Sequence, residues 1–384
     1  MRIVSIGFFA AEYLISLANA IAKDNDVILF LSQQNLAMHF PNCSDLKSML
    51  LERQFVDSKI SLRIIDYPNG HYLQKLKIIR DLIHEISDIQ PDVIHYQSGG
   101  DPWIPLAMPF LQKYPLVSTI HDALAHPGAS TSFISQAIKN FLVLQLSHQI
   151  IVHGKQQADI LMDKYHTTKD AINVIPLGGY DLFAAFSPDQ VIPKSRTVLF
   201  FGALRENKGI DILLRSAPLI INQIPDVLFL IAGSGNCPAV RLMAEQYPNR
   251  FEIHNHFITA AEVHTFFERA SLVVLPYTEG SQSGVLPLAY MFSRPVVATR
   301  VGSLAEVIED QKTGFLIEPG DEHALAEAII ELLKNDLLCK MMGREGKKKL
   351  EKELSWNLIS AKTLNVYKLA ENNMKIAQKL ARIA

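Results

Sequence analysis

Short apolar runs alternate with stretches of helical periodicity along the whole chain, and this alternation limits the folds open to it more than any other feature. In the first half the runs are RIVSI, DVILFL, LRIIDY, DVIHYQ, PLVSTIH, HQIIVHG and INVIPLG. In the second half they are TVLFFGA, VLFLIAG, FEIHNH, SLVVLPY, RPVVATR and GFLIE. Unbroken apolar runs this short suit strands buried on both faces, as in parallel sheets covered by helices. Between them lie segments such as KGIDILLRSAPLIINQI, with apolar residues at helical spacing. The expectation is an α/β chain of two Rossmann-like, doubly wound parallel-sheet domains facing across a cleft. A length of 384 residues fits two domains.

The seam is placed in GGYDLFAAFSPDQVIPKSR, residues 178–196, which has little periodicity and is followed by a sharp new strand at Thr197. This gives a first domain over 1–185, a second over 186–360, and a last helical segment, 361–384, that packs back on the first domain. The helical pattern of that tail begins at Trp356, with Leu, Val and Tyr on one face.

A formal net charge of -2 gives no general pull toward nucleic acid, and no such partner is expected. Cys43, Cys237 and Cys339 are scattered and form no CxxC pair, so neither a zinc site nor a disulfide framework is indicated. The opening stretch resembles a signal peptide only superficially, because Arg2 is its one early cation and Glu12 interrupts the apolar run. No uncharged apolar run is long enough to span a membrane, and a cytoplasmic location is expected.

Ligands of doubly wound sheets bind beyond the carboxyl ends of the strands, so residues just after the strands carry the functional reading. In FFGALRENKGID, Arg205 and Lys208 follow a strand in one turn, an arrangement suited to a doubly charged phosphate; a solvated loop is the alternative. In IAGSGN, Gly233, Ser234 and Gly235 form a Gly-x-Gly turn that either approaches a nucleoside or merely tightens the chain. In TEGSQSGVLPLAYMF, Ser283, Gly284 and Val285 stand at a helix start. Their free amides, with the Ser281 and Ser283 hydroxyls, can cradle an anion, or Ser283 can simply cap the helix. The pairing with Arg205 and Lys208 favours phosphate.

In STIHDALAHPG, His121 and Asp122 follow a strand directly, with His126 five residues beyond His121. The spacing fits no metal motif, and no metal is expected. A lone strand-end histidine is more often structural; the alternative is that His121, beside Asp122, orients or protonates a sugar oxygen. His95, in DVIHYQSGGDP, reads as a strand-end residue that either contacts an acceptor or is buried, and His153 is similar.

These pieces together resemble the retaining glycosyltransferases of family 4, which have the GT-B fold. The resemblance covers nearly the whole chain and is strongest from 197 to 320. It rests on FFGALRENKGIDILL, LIAGSG, the stretch from VVLPYTEGSQSGV to TGFLIEPGD, and the late SWNLISAKTLNVY, with TIHDALAHPG and INVIPLG in the first half. SQSGV matches branches whose donor loop reads Ser/Thr-Gln-Ser-Gly-Val.

The resemblance implies transfer of a sugar from a nucleotide-diphosphate sugar, UDP or GDP foremost, with the anomeric configuration retained and no separate cofactor. The acceptor is a glycan, a lipid-linked glycan or a small molecule, in polysaccharide or glycoconjugate synthesis. Arg205 and Lys208 would contact the donor diphosphate, Ser283, Gly284 and Val285 would supply amides to it, and His121 would face the reaction centre. Asp122, His126 and His95 fall on the acceptor side.

Two positions depart from the common family pattern. Many members carry a second glutamate after Glu279, where this chain has Leu288 or Ala289, and many have arginine at the position of Ala203. The missing glutamate motivates one competing reading, a non-catalytic binding subunit of a glycosyltransferase complex; a second, a sugar-nucleotide epimerase, shares the two-domain architecture, and the stretch VGSLAEVIEDQKTGFLIEPGD favours a transferase over it. The segment YLQKLKIIRDLIHEI, 72–86, reads either as a surface helix packed on its sheet, the favoured reading, or as a basic amphipathic helix giving peripheral membrane contact.

Overall fold

The computed structural model describes residues 1–68, 70, 72–99, 103–124, 133–184, 186, 196–280 and 282–381. All thirteen apolar runs form strands. The first seven are β1 (Arg2–Gly7), β2 (Asp26–Ser32), β3 (Ser61–Ile65), β4 (Val93–Ser98), β5 (Leu116–Ile120), β6 (Gln149–Val152) and β7 (Ile172–Val174). They make one parallel sheet in the order β3-β2-β1-β4-β5-β6-β7. The other six are β8 (Thr197–Phe201), β9 (Leu228–Ala232), β10 (Phe251–His254), β11 (Leu272–Leu275), β12 (Val296–Thr299) and β13 (Gly314–Ile317). Their sheet is also parallel, in the order β10-β9-β8-β11-β12-β13. In each sheet the order reverses beside its first strand, between β1 and β4 and between β8 and β11.

Burial on both faces explains why these strands read as unbroken apolar runs. Every residue of β5, β11 and β12 is buried. The helices cover the sheets with one stripe each. In Ile210–Gln223 the buried residues Ile210, Leu213, Leu214, Ala217 and Ile220 recur at helical spacing. They join Phe200, Phe229 and Val274 in the core of the second sheet. In the first sheet, Ile79, Leu82 and Ile86 of the helix Tyr72–Ile89 pack with Ile94 and Ile120. The surface-helix reading of that segment agrees with this packing.

The chain divides into two compact units. One runs from Met1 through Pro176 and takes in the segment from Trp356 onward; the other spans Leu177–Ser355. The sequence reading divides at 185 and 360 instead, later than both of these points. Residue 185 itself lies outside the described residues. The last helix, Trp356–Ala381, packs on the helix Ala11–Ile21 and on β4, β5 and β6 of its own unit. The Trp356 ring meets the Tyr13 ring edge-on with centroids 5.4 Å apart, and Tyr367 is fully buried.

Candidate functional site

In the second unit, the segments after β8, β9 and β11 converge at the carboxyl edge of the sheet. The amides of Thr278 and Glu279 both donate to the Asn207 carbonyl, at 3.1 and 3.5 Å. This ties the Arg205–Lys208 turn to the loop that leads to Gly284. Lys208 places its Nζ 3.8 Å from the centroid of the Tyr277 ring. The Tyr277 hydroxyl lies 2.9 Å from Ser283 Oγ, and Val285 N–H donates to that same oxygen at 3.2 Å. Lys208 is thus connected, through one aromatic ring, to the start of the helix Val285–Met291. Arg205 is exposed three residues earlier, and neither cation has an ion pair among the described residues.

Backbone contact explains the glycines here. A Cβ on Gly209, whose φ is +65°, would stand 1.8 Å from the Pro276 carbonyl oxygen. A Cβ on Gly233, φ +148°, would stand 1.8 Å from the Gly202 oxygen. The Gly-x-Gly turn therefore serves close packing between neighbouring strand ends. The Gly235 amide donates to Asn255 Oδ1 at 3.1 Å, and the Ser234 carbonyl accepts from Leu204 N–H at 2.9 Å. Gly284 makes room for a side chain: a Cβ there would meet the Tyr180 hydroxyl at 2.5 Å. The N-cap position is Gly284, which has no side chain to cap with; Ser283 Oγ, one residue earlier, accepts the first helical amide, that of Val285, and Ser281 lies outside the described residues. That helix has only seven residues, so the polarity on offer is that of individual amides rather than of a long dipole.

Two buried acceptors stand out at the same edge. Asn207 is 4% exposed, and its Oδ1 has no hydrogen-bond partner among the described residues; Gln282 Oε1 is alike. A buried polar atom left unpaired costs about 1–3 kcal/mol, and a donor from a ligand would remove that cost.

In the first unit the histidines form a buried network. His121 follows β5 directly, and His153 follows β6. His95 lies inside β4 rather than at its end, because the strand continues to Ser98. His95 Nδ1 is 2.7 Å from the Tyr367 hydroxyl, and its Nε2 is 2.8 Å from Thr119 Oγ1 and 3.1 Å from the Gln97 amide. The other end of that amide is 2.9 Å from His121 Nε2; His121 Nδ1 is 3.2 Å from His153 Nε2; and His153 Nδ1 reaches the Ile175 carbonyl at 2.8 Å. Burial pushes His95 down to about 3 and His153 down to about 4, with the His153 charge also opposing protonation of His95. Burial also holds His121 well below the ordinary histidine range, with His153 adding to it and Asp122 opposing.

Neutral rings fix the direction of the bonds. His153 must donate from Nδ1 to the Ile175 carbonyl, so its Nε2 accepts from His121 Nδ1–H. His121 Nε2 must then accept. This requires the Gln97 amide to turn its nitrogen toward His121 and its oxygen toward His95 Nε2–H, a choice that heavy-atom positions leave open. His95 Nδ1 then accepts from the Tyr367 hydroxyl. Both His121 nitrogens are engaged inside this network, and its ring lies edge-on to Phe9, centroids 4.9 Å apart.

The structure thus gathers Lys208, Ser283, Gly284 and Val285 in the second unit, with Gly233, Ser234 and Gly235 on the adjoining strand end. It gathers His95 and His121 in the first unit. Asp122 is half-buried next to His121, its carbonyl accepting from Gln136 and Asn140 side chains. His126 lies outside the described residues. Sequence reasoning missed Tyr277, Tyr180, Asn207 and Gln97. Gln97 had a usable signal: two residues after His95 in one strand, it must share that residue's face.

A family model described as glycosyl transferases group 1 matches residues 195–335, and one described as glycosyltransferase family 4 matches residues 10–178. The 2-deoxystreptamine N-acetyl-D-glucosaminyltransferase of Niallia circulans is 26% identical over 73% of this chain and 77% of its own length. The phosphatidyl-myo-inositol mannosyltransferase of Mycobacterium tuberculosis is 25% identical over 72% of this chain and 73% of its own. Among solved structures, HepE of Anabaena in complex with UDP and glucose superposes with a TM-score of 0.67 at 17% identity, covering 99% of both chains. With one glycosyltransferase model matched in each half and two Rossmann-like parallel-sheet units, the chain belongs to the glycosyltransferases of family 4 type, with the GT-B fold.

Proposed function

We propose that this glycosyltransferase takes its sugar from a UDP- or GDP-sugar and transfers it with retention of the anomeric configuration. The observation that carries the reading is the link from Lys208 through Tyr277 to Ser283 at the carboxyl edge of the second sheet. It joins the two segments picked out for the donor diphosphate. Departure of the nucleoside diphosphate is the step that builds up negative charge. Lys208 and Arg205 offset that charge from fixed positions, and the Ser283–Gly284 amides add short-range dipoles. Asn207 Oδ1 and Gln282 Oε1 accept from donor groups of the nucleotide sugar.

No carboxylate nucleophile suggests itself among the described residues, and on this reading the acceptor attacks on the face that the diphosphate leaves. The cations do the work a metal ion would otherwise do, and turnover is expected to survive chelation. His121 acts by position: with both ring nitrogens held by Gln97 and His153, it shapes the acceptor side rather than exchanging a proton. Asp122, beside His121, is the proposed acceptor contact on that side. The acceptor is a glycan or glycoconjugate precursor; the names of the two relatives span an aminocyclitol and a phospholipid headgroup.

The test is a transfer assay with UDP- and GDP-sugars across an acceptor panel, reading the anomeric configuration of the product by NMR. Retention in the wild-type product, with turnover lost in Arg205→Ala and Lys208→Ala, supports the reading. Inversion, or full turnover in either variant, contradicts it.

A further inference from the structure

Near its start the second unit passes through GGYDLF, residues 178–183, and this segment sets a tyrosine against the Ser283–Val285 turn. A Cβ on Gly179 would stand 3.3 Å from Cε of Met291, the last residue of the helix Val285–Met291. A Cβ on Gly284, just before the first residue of that helix, would stand 2.5 Å from the Tyr180 hydroxyl and 3.0 and 3.1 Å from its Cε2 and Cζ. The hydroxyl oxygen is therefore the ring's nearest atom to Gly284. It lies no more than about 4 Å from the Gly284 Cα, one C–C bond beyond the 2.5 Å.

The rest of Tyr180 is held by its own segment. Its ring packs on Phe183 with centroids 5.8 Å apart, and Phe183 N–H donates to the Tyr180 carbonyl at 3.0 Å. The residue is 8% exposed. A buried tyrosine offers an apolar body and a hydroxyl that requires polar company, and here the hydroxyl is the end brought to the turn.

Gly284 permits the approach by lacking a side chain. Its φ of -69° and ψ of -16° are open to any residue, so conformational freedom does not account for glycine at this position. Space for the phenol does. The start of the helix is already served without Tyr180, because Ser283 Oγ takes the Val285 amide and lies 2.9 Å from the Tyr277 hydroxyl. Two phenols thus address consecutive residues of one turn, and only that of Tyr277 is needed to hold Ser283.

We propose that Tyr180 is a further residue contacting the nucleotide sugar, its O–H donating to an oxygen of the diphosphate. The inference rests on the proposed seat of that diphosphate at Ser283–Val285. A phenol adds a neutral donor where Arg205 and Lys208 supply charge, and a hydrogen bond to an ionised oxygen is among the stronger ones. It also brings the segment leading into the second unit into direct touch with the nucleotide sugar.

Calorimetric titration of UDP and GDP into the wild type, Tyr180→Phe and Lys208→Ala tests it. Tyr180→Phe keeps the ring and removes only the hydroxyl, so its affinity should fall about tenfold while its melting temperature stays that of the wild type. Gly284→Ala checks the contact without ligand. The added methyl presses on the hydroxyl and should lower the melting temperature by about 2–4 °C in the wild type and by less in Tyr180→Phe. Wild-type affinity in Tyr180→Phe, with binding weakened in Lys208→Ala, would overturn the inference and leave the seat of the diphosphate standing. A lowered melting temperature with unchanged affinity would also overturn it, giving Tyr180 to packing alone. So would an equal effect of Gly284→Ala in both backgrounds. No binding of UDP or GDP by the wild type would remove the inference together with the reading beneath it.

Discussion

Lys208 is held by an aromatic ring instead of a carboxylate. A cation over a ring face keeps its full charge, whereas an ion pair would neutralise it in advance. That arrangement suits a residue whose partner arrives with a substrate. Lys208→Ala is expected to lower kcat by about 10²–10³ while leaving the melting temperature nearly unchanged, in the range seen when one preorganised charge stabiliser is removed. Steady-state kinetics beside a thermal melt checks both halves. Gly209 has the opposite character. Its positive φ and its contact with the Pro276 carbonyl make it a structural position. Gly209→Ala should cost about 2–4 kcal/mol in the second unit, measurable by calorimetry, from left-handed strain together with the clash. An unchanged transition would show that the β8 and β11 segments are looser than their backbone contact indicates.

Among the elements, the helix Trp356–Ala381 joins the helix Ala11–Ile21 to β4, β5 and β6 of its unit. Tyr367 closes one end of the hydrogen-bond chain that passes through His95, Gln97, His121 and His153. Tyr367→Phe leaves His95 Nδ1 buried and unpaired and should cost about 1–3 kcal/mol. The two tryptophans, Trp103 and Trp356, both belong to the first unit, so fluorescence-detected urea unfolding reports on that unit.

The same probe reads the pH dependence. The folded values of His95 and His153 lie below the ordinary histidine value, so below about pH 6.5 the unfolded chain binds more protons than the folded one. Stability is fully present above that pH. It falls on acidification at about 1.4 kcal/mol per pH unit for each histidine, until the folded values near 4 and 3 are reached. A first-unit transition independent of pH between 6.5 and 4.5 would show that the imidazoles are already charged in the fold.

The strands were legible because each is buried on both faces, which forces an apolar run that local sequence displays. The helix Val285–Met291 was legible from Pro287 in its first turn. The histidine chain was not, because it depends on β4, β5, β6 and the last helix lying together, and nothing local records that. For the same reason His95 was placed at a strand end. Tyr277 was visible only as the end of an apolar run, and its two roles appear when Lys208 and Ser283 are brought to it by the fold.

At the scale of the whole molecule, the two units repeat one architecture with different contents. Each sheet reverses its order beside its first strand, the place where such folds bind ligands. The second unit brings unpaired cations and unpaired acceptors to that edge, while the first brings neutral imidazoles whose bonds are internally satisfied. On the proposed reading, the charged nucleotide-sugar donor binds to the second unit. Binding of nucleotide sugars is the property that tests this most directly. A nucleotide sugar present at about 100 times its Kd should stabilise the protein by about 2.7 kcal/mol.

The decisive measurement is calorimetric titration of UDP- and GDP-sugars into the wild type, Arg205→Ala and Lys208→Ala. Binding by the wild type that weakens at least about tenfold in each variant, a loss of about 1.4 kcal/mol, is the predicted result. Equal affinity in all three proteins would contradict a donor diphosphate seated on these cations.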